Sequence, residues 1–141
     1  MATRAAVKVV EAGLTSSLHV CTPAGDDFIN TGIEFIRIQN THASAIYTVK
    51  VTASGTTSVS HPQYGTLAKE NIYKAVAAAG NSVYIGPFKQ GAFNDSDEKV
   101  QVAYKTQAGG VVGTDDAAWT GLSTTLASAH LLKIEVLYLD N

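Results

Sequence analysis

The residues best suited to chemistry are gathered between Asn94 and Glu98, where the chain reads Asn-Asp-Ser-Asp-Glu. Closely spaced carboxylates are what a hard divalent cation takes as ligands. This spacing lacks the central glycine and the twelfth-position glutamate of a helix–loop–helix calcium site. Short Asn/Asp runs also turn a chain through side-chain bonds to nearby backbone, and the stretch is read as a solvated turn. His19, His42, His61 and His130 form no His-x-His or His-x-x-x-His pair and are read as surface histidines. Cys21 is the sole cysteine, so the chain has neither an intrachain disulfide nor a cysteine-based metal site. It is read as a small apolar filler whose free thiol suits a reducing cytoplasm. No serine sits in a Gly-x-Ser-x-Gly elbow, and the glycines at 108–113 lack the Lys-Ser/Thr of a phosphate loop. Neither a nucleophile–base pair nor a metal set emerges, and the expectation is a protein without catalysis or cofactor.

Aromatic side chains offer binding instead. Tyr47, Tyr64, Tyr73, Tyr84, Phe88, Phe93 and Trp119 are candidates for a carbohydrate platform or for interface anchors, although most suit a core or its rim. Trp119 differs, standing in a small-residue stretch without apolar period. Together with Tyr64, Leu122, Val111 and Val112, it makes up the candidate protein-interface set, all in two weakly patterned stretches.

Those residues need a scaffold. At 141 residues the chain suits one domain, 1–141, with a core of its own. Apolar residues make up 45% and charged residues 16%, against about 25% charged in ordinary soluble domains. The shortage of charge suggests surface covered by another protein. A net charge of −2, with Lys and Arg scattered from Arg4 to Lys133, argues against nucleic acid as a partner. No run approaches the roughly 18 apolar residues of a membrane helix. Glu11 also interrupts the N-terminal stretch before it reaches the length of a signal peptide core. The expectation is a soluble protein made in the cytoplasm, with no membrane partner.

Period-two alternation dominates. It marks strands in AAVKVVEA, SSLHVCT, IEFIRIQN, IYTVKVTA, SVYIGP, KVQVAYK and LLKIEVLYLDN. Turn residues separate them at 22–27 and 30–32, and NTHASA at 40–45 reads as a hairpin connection. The pattern predicts an all-β fold, an antiparallel β-sandwich or jelly-roll-like barrel. Loop or arm insertions fall at 53–72 and 105–130. Ile72 to Ala77 reads as a strand, and the second insertion predicts one short helix capped by Thr114 or Asp115.

Two stretches in this order resemble a family of small structural proteins of tailed bacteriophages encoded among head genes. Its members carry a stretch like D-G-x-x-F-x-N-x-G-x-x-F-L-x-V-x-N and later G-P-F-x-x-x-x-[FY]-N-D-x-x-G-x-V-x-V-x-Y. The chain has AGDDFINTGIEFIRIQNTHASAIYTVKV at 24–51 and VYIGPFKQGAFNDSDEKVQVAY at 83–104. Gly25, Asp26, Phe28, Asn30, Gly32, Phe35, Ile36, Ile38 and Asn40 carry the first match. Gly86, Pro87, Phe88, Phe93, Asn94, Asp95, Val100, Val102 and Tyr104 carry the second. The resemblance covers about half of the chain. Glu98 stands where the family often has glycine, and the stretches around 53–75 and 105–130 are longer than usual.

The resemblance implies a β-sandwich virion component, a decoration (cement) protein that stabilises the capsid exterior by bridging capsomers. Its implied partners are the major capsid protein and itself, as a homotrimer. A head–tail joining or tail protein is the nearest alternative. A carbohydrate-binding module using the aromatics, with calcium at Asp95 and Asp97, comes from a different class. In the corner at 84–104, Phe88 and Phe93 are expected to fold back and close the core.

Overall fold

The alternation of Ile36 and Ile38 with Arg37 and Gln39 becomes a strand with one sealed face. In the computed structural model, Glu34–Asn40 alternates buried and half-buried along its whole length. The structure describes residues 1–10, 12–55, 58–61, 63, 65–68, 70–107, 115–122, 126 and 131–139, with backbone alone at 58–61 and 65–68. These form β1 (Ala2–Arg4), β2 (Ala6–Val9), β3 (His19–Val20), β4 (Asp26–Ile29), β5 (Glu34–Asn40) and β6 (Tyr47–Val51). There follow β7 (Ser58–His61), β8 (Gly65–Ala68), β9 (Ile72–Val76), β10 (Asn81–Ile85), β11 (Lys99–Thr106) and β12 (Leu132–Leu139). Two short helices, α1 (Gln90–Phe93) and α2 (Asp116–Gly121), complete the described elements.

The first sheet runs β1-β4-β11-β6-β9, and the second runs β10-β5-β12-β2 with β3 also on β12. Phe28, Val49, Val51, Val100 and Val102 from the first meet Ile36, Ile38, Leu132, Ile134 and Val136 from the second in one core. Valine and isoleucine suit this role because their branched side chains fit a pleated, buried surface. The chain changes sheet between β1 and β2, β3 and β4, β4 and β5, β5 and β6, β9 and β10, β10 and β11, and β11 and β12. The result is an all-β sandwich, not a closed barrel.

Five expectations change. The sheets are mixed rather than wholly antiparallel, because β1 runs parallel to β4 and β2 parallel to β12. The first stretch, read as a single strand, breaks at Ala5 and serves the edge of both sheets.

The 40–45 connection is not a hairpin, since β5 and β6 lie in different sheets. Side chains bend the chain over the end of the sandwich. Asn40 Nδ2 donates to Ala45 O (2.7 Å) and Val76 O (3.1 Å), while His42 Nδ1 accepts from Ser44 N and Ala45 N.

Asp26 and Asp27, read as turn residues, begin β4 and are buried. The SSLHVCT strand shortens to His19–Val20, because Ser16 and Ser17 are engaged instead with the Glu135 carboxylate.

Other readings hold. β9 covers Ile72–Val76 as expected, whereas the 53–72 stretch, read as a loop or arm, carries an antiparallel β7–β8 ladder from Ser58↔Ala68 to His61↔Gly65. The short helix is α2, capped by Asp115, whose carboxylate accepts from Ala118 N at 2.7 Å.

Candidate functional site

The two quoted stretches meet in one corner of the sandwich, between the β4–β5 and β10–β11 connections. Asn30, 1% exposed, is its centre. Its Nδ2 donates to Phe88 O (3.0 Å) and Asn94 Oδ1 (2.6 Å), and its Oδ1 accepts from Gly32 N (3.1 Å). Its backbone N donates to Glu98 O (3.0 Å), and its carbonyl accepts from Asn94 Nδ2 (3.0 Å) and Gln90 Nε2 (3.3 Å). An asparagine suits this position because its amide offers donors and an acceptor together. Glu34 pins the other side of the turn, accepting from Thr31 N (2.7 Å), Thr31 Oγ1 (2.8 Å) and Ile33 N (3.3 Å).

Gly86 permits the close approach of the second stretch. Its φ is 123°, and a Cβ there would lie 2.9 Å from Phe35 Cα. The following bond to Pro87 is cis. Phe88 is fully buried, with Phe28 at 5.7 Å on one side and Phe93 at 5.6 Å on the other. Phe93 is half-buried and packs on the core through this contact. The corner thus gathers Phe28, Asn30, Gly32, Gly86, Pro87, Phe88, Phe93, Asn94 and Asp95 around α1.

The acidic run is occupied by the chain's own donors. Asp95 Oδ1 accepts from Asp97 N (2.9 Å) and Lys99 N (3.0 Å), and Gln101 Nε2 donates to Oδ2. Burial acts to raise the Asp95 pKa, but the Gln101, Lys99 and Asp97 donors and the Lys99 charge outweigh it and hold the carboxyl below its ordinary value. Glu98 closes the turn with φ of 61°, left-handed backbone that favours glycine. Among the described residues, no group of three or more His, Cys, Asp or Glu is placed to hold a metal ion.

Trp119 lies elsewhere, on the outer face of the first sheet. Its ring packs 5.9 Å from Tyr73, with Lys105 Nζ 4.9 Å and Lys50 Nζ 5.8 Å from its centre. Lys105 Nζ also donates to Trp119 O at 2.7 Å. Asp116, at the start of α2, accepts from Tyr73 OH and from Asn71 Nδ2 (3.0 Å), and Lys50 Nζ lies 3.4 Å away. Burial and then this bond push the Tyr73 phenol up to about 12. Leu122 is buried beside the helix end. Trp119 therefore anchors α2 to its own sheet through stacking and cation–π contacts. Tyr64, Val111 and Val112 lie outside the described residues.

Sequence reasoning missed a buried polar cluster. The fully buried Asp26 accepts from Arg4 Nε (2.8 Å), Thr22 N (3.0 Å), Thr22 Oγ1 (3.0 Å) and Tyr104 OH (2.9 Å). Cys21 lies against Tyr104, and burial pushes both thiol and phenol above their ordinary values. The available signal was Arg4, a charge set among apolar alternating residues. Glu135 is likewise buried, held by Ser17 N (2.5 Å) with Arg37 at 3.7 Å.

This geometry defines an all-β sandwich whose polar side chains pin corners and edges. No family model, curated protein or solved structure matches the chain.

Proposed function

We propose that this chain is a structural protein of a tailed-phage virion, a decoration protein that binds the capsid exterior and bridges capsomers. Its partners are the major capsid protein and further copies of itself in a homotrimer, assembled after synthesis in the bacterial cytoplasm.

The observation that carries this reading is the corner itself. The two separated stretches that resemble the phage family supply one another's hydrogen-bond partners, through Asn30, Asn94 and Phe88. Their joint occurrence in one chain thus has a physical reason.

Surface composition supports the same reading. Val10, Val20, Ile29, Ile33, Tyr84, Leu131 and Leu139 stand exposed on a chain with little charge, the kind of surface that protein contacts cover. A standard interface removes about 800 Å² from each partner, roughly a tenth of the 7659 Å² this chain exposes alone, and a subunit of a closed ring makes two such contacts.

Native mass spectrometry with electron microscopy tests it. The expected species has three times the 14.8 kDa chain mass. Larger rings would move the assignment to a head–tail or tail component, and a monomer at all concentrations would contradict both.

A further inference from the structure

The first ten residues serve both sheets yet bury no side chain fully. β1 pairs with β4 from Ala2↔Asp26 to Arg4↔Phe28, and β2 pairs with β12 from Ala6↔Val136 to Val9↔Leu139. By contrast, β4, β5, β6, β9, β10, β11 and β12 each place at least one buried residue in the sandwich. Where the segment crosses between sheets, the small side chains of Ala5 and Ala6 leave an open cleft of about 410 Å³, lined also by Thr3, Arg4, Ile29 and Glu34. The segment is a ladder-held arm laid over the sandwich edge, fixed chiefly by Arg4, which reaches the Asp26 carboxylate (2.8 Å) and the Val20 carbonyl (2.7 Å), with Ala6 packed against the core.

We propose that this arm is exchanged between copies of the chain. Residues 1–9 of one copy pair with β4 and β12 of the next, and Arg4 of one copy meets Asp26 of the other. Exchange of an identical element keeps every contact in kind and therefore costs little. What must change is the path between Val10 and Ser17. There Gly13 N donates to Val10 O at 2.9 Å and Gly13 adopts φ of 102°, closing a tight turn. Opened, that stretch spans up to about 24 Å, enough to reach an adjoining protomer. Glu135 ends the hinge by holding Ser16 and Ser17.

The occupant is a second copy rather than a foreign strand because the site is specific. Asp26 is a fully buried carboxylate, and a buried charge left without its partner is strongly unfavourable. The ladder register that sets Ala2 beside Asp26 brings the Arg4 guanidinium onto that carboxylate. An edge strand without this arginine would leave the charge uncompensated. The inference holds for any assembly of this chain and does not depend on the virion reading.

The test uses the full chain in two singly substituted forms, isotope-labelled Val9→Cys and unlabelled Leu139→Cys, refolded together and oxidised. These positions are register partners at the surface end of β2 and β12, and the native Cys21 is buried. The expected result is a disulfide joining residue 9 of a labelled chain to residue 139 of an unlabelled chain as the main product. In parallel, the doubly substituted chain should oxidise into covalent oligomers. A doubly substituted chain that forms only the internal disulfide, with no 9–139 link in the mixture, would overturn the exchange. An oligomer that shows only internal disulfides contradicts exchange while leaving the proposed function standing.

Discussion

Asn30 and Asn94, 64 residues apart, are hydrogen-bonded in both directions. Asn30 Nδ2 donates to Asn94 Oδ1, and Asn94 Nδ2 donates to the Asn30 carbonyl. Asn30→Ala strands the buried Phe88 carbonyl as well and is expected to cost about 2–3 kcal/mol, against about 1 kcal/mol for Asn94→Ala. In a double-mutant cycle by urea unfolding, the double variant should lose less than the sum of the two. Full additivity would mean that the pair is not coupled.

Phe88 and Phe93 separate by burial. Phe88 is enclosed and its truncation to alanine should cost about 3–5 kcal/mol, while the half-buried Phe93 should cost about half as much. Equal losses in denaturant titrations would contradict the packing order seen in the corner.

Glu98 holds a left-handed conformation at φ of 61°. Glu98→Gly relieves that strain, of order 1 kcal/mol, and should raise the unfolding midpoint despite the added freedom of the unfolded chain. A lowered midpoint would show that the glutamate side chain contributes more than its backbone costs.

The sole tryptophan reports on the docking of α2. The Tyr73 hydroxyl, then Asn71 and Lys50, hold the Asp116 carboxyl below its ordinary value. A depressed folded pKa means that docking is supported above about pH 4 and weakens as the pH falls through that lower value. Trp119 emission should therefore shift to the red in strong acid, and Asp116→Asn should abolish that pH dependence. An unchanged acid transition in the variant would assign it to another group.

Cys21 and Tyr104 act at the other end of the pH scale. Burial keeps both protonated in the fold, so their contribution is complete below the thiol's ordinary value of 9.0 and is lost as the pH rises beyond it. Thermal melts should fall above about pH 9, and Cys21→Ala should remove the first part of that loss. A thiol reagent should modify Cys21 only at the rate of global opening.

The sandwich was legible because its core strands alternate cleanly, as in Ile36/Ile38 and Val100/Val102. The role of Phe88 and Phe93 was legible for a related reason, since two aromatics flanking a turn have little else to cover. β4 was hidden because Asp26 and Asp27 look like turn residues until Arg4 and Lys99 are brought beside them. The crossing at 40–45 was hidden because loop length does not encode which sheet the next strand joins. Trp119 was expected to anchor an interface, and its packing onto its own sheet was not legible. Its partners, Lys50, Tyr73 and Lys105, lie on three separate strands whose common face emerges only with the sheet order.

The virion assignment is tested most directly by co-sedimentation. Purified chain is mixed with expanded heads assembled from a tailed-phage major capsid protein. The expected result is saturable binding in multiples of three copies, with heads that resist heat better once loaded. Chain that stays in the supernatant as a monomer, with heads no more stable than before, would contradict the assignment.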